Sequence, residues 1–450
     1  MTLRIVAFIK TTGNRRSVGE EHRQPARFGM PAAFRKLFTA SIGDGIGDDV
    51  LRSMLPVIAV AVLGAGAFQT SVLNALGMAA FLLLGVPAGV LVDRWSKKST
   101  LVLANVVRAA AVVSVPTAYF LGSLSIWHLF AVAAVVSVAD VVFTTAQSAM
   151  MPMLLKGSEL GDGYAKVQSV QSGLAIATPG VVGLIVKVVS APAMLFIAGA
   201  AYLFSAVMTG RLPQDRPSRA ETPDKFWSEA RDGLGYTLSH PLIRSLMVSV
   251  ALVNAASMFG AAAKVIFALQ ILNIPMDQFV ILGALSAAGG LASSMTATRI
   301  TRRLGVGRTK IAASLASAGF VILLPVAPFL GLAPVAWIGI SGFGWSFFVI
   351  LSGLAGAGII PRLVPHHLMG RVMSTYRLFT LGIMPAASIG GGVLALATGV
   401  IPVLWGWALV AAASAIPILV SPIRSWPEFP EALDVHSQDN PKSVVPVPAP

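Results

Sequence analysis

The chain has 450 residues, of which 55% are hydrophobic and only 12% charged, with a mean hydropathy of +0.78; that leaves too little polar material to cover a soluble core of this size, and a bilayer is the fitting solvent. The net charge of +14 would suit nucleic acid if the basic residues formed one patch, but they fall at alternate turns of an apolar chain, which points to anionic lipid headgroups instead. Cysteine is absent, which excludes disulfides, thiolate nucleophiles and cysteine metal sites.

Residues 1–33 are polar and basic, and the apolar residues Ile5 to Ile9 are too few for the core of a secretory signal. This segment reads as a disordered cytoplasmic tail, with Met30 as an alternative start of translation. About twelve apolar stretches follow, at 34–63, 68–92, 100–121, 126–154, 164–188, 191–210, 242–268, 278–298, 308–330, 333–360, 372–398 and 401–421. Each is long enough to span a membrane as a helix. They are rich in Ala, Val, Leu and Gly and lack the period-two alternation of outer-membrane strands, so the expected fold is an all-α membrane protein. Between the sixth and seventh stretches, residues 211–241 combine Pro213, Pro217 and Pro223 with charges and an amphipathic helix through Phe226, Trp227, Ala230, Leu234 and Leu238. This is the expected linker. Residues 422–450 form a Pro-rich tail, expected to be cytoplasmic and disordered.

Two halves are legible as a duplication. The run Gly89-Val90-Leu91-Val92-Asp93-Arg94-Trp95-Ser96-Lys97-Lys98 is echoed about 205 residues later by Thr298-Arg299-Ile300-Thr301-Arg302-Arg303; Met151-Pro152-Met153-Leu154 has a counterpart in Ile360-Pro361-Arg362-Leu363, and Thr178-Pro179 in Met384-Pro385. Parallel six-helix bundles at 34–210 and 242–421 are expected. Basic residues mark one set of turns, whereas those near Gly64, Gly122, Gly331 and Gly399 carry no charge. The bias places both termini in the cytoplasm of a multi-pass protein of the plasma or inner membrane.

The run from Gly89 to Lys98 resembles the signature loop between helices two and three of the major facilitator superfamily, Gly-x-Leu-x-Asp-Arg-x-x-Lys-Lys. Further segments look like its drug and siderophore exporter branch: Phe34-Arg35-Lys36-Leu37 leading into Ser41-Ile42-Gly43-Asp44, Ser239-His240-Pro241-Leu242-Ile243-Arg244, Pro361-Arg362-Leu363-Val364-Pro365 and Gly370-Arg371-Val372-Met373-Ser374. The segment from Gly173 to Gly183 is only loosely similar to the fifth-helix pattern of antiporters, with Thr178-Pro179 in place of Gly-Pro. The resemblance covers residues 34 to 424. It implies alternating access by two bundles around a central cavity, driven in exporters by protons. It also implies a cytoplasmic latch of Gly89, Asp93, Arg94, Lys97 and Lys98 against helix eleven (Gly370, Arg371), with Arg299, Arg302 and Arg303 in the second copy. The copies differ, since Asp93 has become Thr298. Thr178, Pro179, Gly183 and Pro385 are candidate helix bends.

Inside the first stretch Asp44, Asp48 and Arg52 are spaced four apart and share a helical face, with Asp49 beside them. At 1.5 Å per residue from Phe34, Asp44 lies about 15 Å deep and Asp48 about 21 Å, inside a hydrocarbon core of about 30 Å. An unpaired carboxylate there costs several kcal/mol, so such residues face a cavity, pair, or take a proton. The plain structural alternative is an Asp48–Arg52 pair that fixes packing. Arg108 and Asp140 are the other buried candidates, as a neutral pair or as a proton site. Lys187 and Lys264 lie near helix ends, where a lysine snorkels to water; the alternative for Lys264 is contact with an anionic substrate, which Arg52 and Arg108 could also serve. Gln147, Gln168, Gln171, Asn254, Trp345 and Phe348 could line the cavity or serve as packing. His366-His367 has no ligand-spaced partner, and no metal is expected.

No phosphate loop, His-Glu-x-x-His or Gly-x-Ser-x-Gly occurs, so neither enzymatic chemistry nor a cofactor is expected. The leading expectation is a monomeric, proton-coupled exporter of a hydrophobic or amphiphilic small molecule, drug-like or siderophore-like. The alternatives are an importer or facilitator of an organic anion and a transport-dead membrane scaffold.

Overall fold

The computed structural model describes residues 31–155, 159–215, 234–326, 329, 333–365, 368–426 and 430; the side chains of Asp93, Gln168, Pro179 and Arg371 and the surroundings of Gly89 and Gly370 lie outside that description. The described residues form twelve long helices: α1 (Ala32–Ala61), α2 (Ala67–Arg94), α3 (Lys97–Phe120), α4 (Ile126–Leu154), α5 (Glu159–Ile185), α6 (Ala191–Gly210), α7 (Pro241–Ile266), α8 (Met276–Leu304), α9 (Val306–Val326), α10 (Pro334–Gly356), α11 (Met369–Thr398) and α12 (Val400–Ala413). A π-helical turn, Phe267–Ile271, extends α7, and the short helix Ile416–Val420 continues α12. Proline opens α7 and α10, where its missing N–H costs nothing.

Among the described residues, ten helical stretches are long and apolar enough to cross a membrane. The two helices that fall short do so for physical reasons. Asp44, Asp48, Asp49 and Arg52 interrupt α1, and in α5 the apolar part is shorter, Ser169–Ile185.

Packing repeats between the halves. In the first, α1 packs on α5 and α6, α3 on α4 and α6, and α2 on α4; in the second, α7 packs on α11 and α12, α9 on α10 and α12, and α8 on α10. Adding six to each label converts one list into the other. The halves meet through α2 with α11 and α5 with α8, the same pairing under that exchange. The fold is therefore two six-helix bundles related by an internal two-fold. Small residues bring backbones together where charge is buried: a Cβ at Gly43 would come 2.8 Å from the Ala201 carbonyl oxygen, and one at Gly47 2.7 Å from the Tyr202 ring. A larger residue at either would push α6 off α1.

Three expectations need correction. The second copy of the charged run is not a loop, because α8 continues to Leu304 and only Gly305, at φ +83°, separates it from α9. Arg302 and Arg303 occupy the last turn of α8, where positive charge meets the negative end of the helix dipole. Ile360-Pro361-Arg362-Leu363 is not the end of a long tenth helix, since α10 stops at Gly356 and those residues form the short helix Ile359–Leu363. The start of the C-terminal tail is packed rather than loose: Pro422–Ser425 forms a 3-10 turn, with Ile423 and Trp426 buried against Leu242, Ile243 and Val306. Residues 1–30, the amphipathic residues Phe226, Trp227 and Ala230, and His366-His367 lie outside the described residues.

Candidate functional site

Four helices of the first half converge on Arg108 of α3, whose side chain is fully buried. Its Nη2 donates to Asp44 Oδ1 at 2.5 Å and to Asn105 Oδ1 at 2.7 Å; its Nη1 donates to Asp48 Oδ1 at 3.2 Å and to Asp140 Oδ1 at 3.5 Å. The guanidinium lies between two rings, 4.5 Å from the centroid of Phe143 and 4.7 Å from that of Tyr202. Tyr202 donates its hydroxyl to Asp48 Oδ1 at 2.7 Å, and Asn105 donates to Ser205 at 2.7 Å. Arg108 Nε has no partner among the described residues.

Asp48 also faces Arg52, whose Nη2 stands 3.8 Å from Asp48 Oδ2, while the Arg52 side chain is 71% exposed. Asp44, Asp48 and Asp140 thus share Arg108 and Arg52, three carboxylates on two cations. Asp49 of the same helix adds a fourth carboxylate nearby. In hydrocarbon such an excess is costly unless a carboxyl takes a proton. Among the described residues no group of three or more His, Asp or Glu is arranged to hold a metal; the guanidinium fills the space between these carboxylates.

Arg52 opens onto a cavity of about 330 Å³ between the halves. Ser53, Pro56 and Val57 of α1 line it from one side; Ser257, Ala261 and Lys264 of α7, Phe279 and Leu282 of α8, Trp345 of α10 and Trp407 of α12 line it from the other. Trp345 and Trp407 meet edge to face, with centroids 5.0 Å apart.

Among the described residues several contacts join the halves near the charge-poor turns. Ser388 of α11 donates to the Ser71 carbonyl of α2 at 2.9 Å, a Cβ at Gly183 of α5 would lie 2.5 Å from Ile281 of α8, and Lys187 pairs with Asp277 at 3.7 Å.

Residues 37–388 match the family model described as Major Facilitator Superfamily, well over half of the chain. The chain belongs to the Major Facilitator Superfamily. The uncharacterized MFS-type transporter YfiS of Bacillus subtilis (strain 168) is 26% identical over 364 residues, 77% of this chain and 84% of that protein. Macrolide efflux protein A of Enterococcus faecalis is 27% identical over 164 residues, 36% of this chain and 51% of that protein. Among solved structures, a POT family transporter in complex with 5-aminolevulinic acid superposes with a TM-score of 0.69 at 13% identity, covering 88% of this chain and 97% of that one. A bacterial homologue of the iron transporter ferroportin in an inward-facing state gives 0.67 at 14% identity, covering 86% and 99%. Membership makes this multi-pass membrane protein a transporter and not an enzyme.

The superfamily's signature segment is mostly helix here: α2 ends at Arg94, α3 begins at Lys97, and only Trp95 and Ser96 lie between. Ser96 caps α3 by accepting from Ser99 N at 3.4 Å, and a carboxylate from outside the helix reinforces that cap. Asp215, just beyond α6, accepts from Lys97 N at 2.6 Å, Lys98 N at 3.1 Å and Ser96 Oγ at 2.8 Å. Burial raises its carboxyl, but the Lys97 N–H, the Ser96 hydroxyl and the Lys98 N–H outweigh this and hold it below the usual carboxylate range. Lys97 is buried rather than turned to headgroups, whereas Arg94, Arg299, Arg302 and Arg303 are exposed. Lys36 donates to the Arg211 carbonyl at 2.8 Å, tying α1 to the same corner.

The remaining candidates scatter. Trp345 lines the cavity, but Gln147 donates to Ser41 at 2.8 Å and Asn254 to the Thr380 carbonyl at 2.8 Å, so both bridge helices. Gln171 is half-buried on α5, away from the cavity lining. Phe348 stacks on Phe320. Thr178 and Pro385 are buried, and Gly183 serves a close approach of α5 to α8. Lys187 does not merely snorkel, since Asp277 meets it; Lys264 points into the bundle, where its Nζ lies 3.8 Å from the place a Cβ of Gly342 would take. Tyr202, Asn105 and Trp407 were also missed. A tyrosine or asparagine inside an apolar stretch was the available signal.

Proposed function

We propose that this transporter exports a hydrophobic or amphiphilic small molecule in exchange for protons, by alternating access of its two bundles. The observation that carries the reading is the shortage of cations around three membrane-embedded carboxylates: Asp44, Asp48 and Asp140 share Arg108 and Arg52. Such a cluster gains and loses a proton at little structural cost. Asp48 connects it to the cavity, because Arg52 touches Asp48 on one side and lines the cavity on the other. A change of charge at Asp48 therefore reaches a bound substrate through a single side chain. The aromatic wall of Phe279, Trp345 and Trp407 suits an apolar body. Export as the direction draws support from the macrolide efflux proteins, which match about a third of the chain.

The test is efflux of a fluorescent amphiphile from cells expressing the chain, with and without a protonophore. Export predicts lower accumulation on expression and loss of that difference when the proton gradient collapses. Accumulation unaffected by expression removes the export reading, and uptake stimulated by expression points to an importer.

A further inference from the structure

We infer that the cavity holds the head of an amphiphilic anion, a carboxylate, sulfonate or phosphate carried on an apolar body, with Lys264 and Arg52 as its partners. The inference rests on the cavity being the substrate site and holds for either direction of transport.

The charge balance of the lining carries it. Arg52 and Lys264 face the cavity from opposite halves of the protein, and among the described residues no Asp or Glu lines it. Arg52 has Asp48 at 3.8 Å, a long contact, with most of its side chain uncovered. Among the described residues Lys264 has no carboxylate partner. An ammonium inside a bundle, away from headgroups, normally marks a pathway or a ligand. Ser53 adds a hydroxyl to the lining, whereas the Ser257 hydroxyl donates to the Val253 carbonyl of its own helix at 3.0 Å. Two cations repel a cationic drug and welcome an acceptor with full negative charge, for which charge-assisted hydrogen bonds are strongest. Trp345, Trp407 and Phe279 on the same wall give the apolar body its contact. Because the two cations belong to different halves, an anion between them bridges the halves, as a substrate that governs their rocking must.

The test measures binding directly, without any gradient, so that it fails or succeeds independently of proton coupling. The full chain in phosphatidylcholine nanodiscs is titrated with three dansyl probes on the same six-carbon arm, ending in a carboxylate, an ammonium or a neutral methyl, and binding is read as energy transfer from tryptophan. The carboxylate probe is expected to bind about tenfold tighter than the neutral one, equivalent to about 1.4 kcal/mol, and the ammonium probe weakest. Lys264→Met is expected to abolish the preference while leaving the neutral probe's affinity unchanged, which controls for folding; Lys264→Arg keeps it, and Lys166→Met, on the exposed face of α5, has no effect. Equal affinities for the three probes, or a preference that survives Lys264→Met, overturn the inference. Repeating the titration in phosphatidylglycerol separates the sources of the anion: unchanged affinity assigns the site to a soluble amphiphile, and strong competition assigns it to a lipid headgroup and overturns the substrate assignment.

Discussion

Arg108→Gln removes the guanidinium at the centre of the first bundle and leaves its carboxylates facing one another. The hydrogen bonds to Asp44, Asp48 and Asn105, the longer contact with Asp140 and two ring faces go with it. Breaking a buried ion pair by deleting one partner costs about 3–5 kcal/mol, because the other partner is left uncompensated. The lost ring contacts add about 0.5–2 kcal/mol. The expected loss is therefore about 3.5–7 kcal/mol, a large share of the stability of an ordinary domain. Orphaned charge, rather than lost packing, is the larger part, so Asp44→Asn in the Arg108→Gln background should cost far less than in the wild type, or even restore stability. Reversible unfolding in bicelles, followed by tryptophan fluorescence, measures all four members of the cycle. Simple additivity of the two changes, or a loss below about 1 kcal/mol for Arg108→Gln, would refute the assignment of Arg108 as the shared countercharge.

Asp215→Ala should cost about 1–2 kcal/mol at neutral pH, the value of a lost helix cap. The carboxyl is lowered in the folded chain, so its contribution is present above the unfolded value of about 3.9 and disappears as pH falls through the lower folded value; the gap between mutant and wild type should close in acid, and unfolding curves at pH 7 and pH 3 check this. Gly183→Leu places atoms where Ile281 already stands and should impair closure at the charge-poor end, lowering transport while insertion remains normal, as membrane fractionation and efflux together would show. The chain has no cysteine, so Ser71→Cys with Ser388→Cys offers a clean cross-link across the α2–α11 contact. Oxidation should stop transport and reduction restore it; flux that persists through complete cross-linking contradicts the view that this contact opens in each cycle.

The helices were legible because a span of about 20 apolar residues is dictated by bilayer thickness, and all twelve begin within five residues of the expected position. The shared face of Asp44, Asp48 and Arg52 followed from a spacing of four. What the sequence withheld was tertiary. The sequence offers Asp140 as the partner of Arg108, whereas the structure sets Arg108 closest to Asp44 at 2.5 Å and keeps Asp140 at 3.5 Å; no spacing rule connects α3 to α1. Lys264 was read as a snorkelling residue because the seventh stretch was expected to end at 268. The π turn carries that helix on to Ile271, about 10 Å beyond Lys264 at 1.5 Å per residue, which leaves the ammonium inside the bundle. Asp215 was hidden for another reason, since a linker carboxylate shows its role only when the chain folds back onto the start of α3. The charged run of the second half looked like a loop because its arginines are polar, yet a helix end accommodates them equally well.

Proton movement through the Arg108 cluster is the central claim, and its most direct measurement is substrate-driven proton flux in proteoliposomes loaded with a pH-sensitive dye. Wild-type protein should move protons against an imposed substrate gradient, and Asp44→Asn, Asp48→Asn and Asp140→Asn should each reduce that flux, with Asp48→Asn also uncoupling it from substrate. Undiminished proton flux in all three variants would contradict the account.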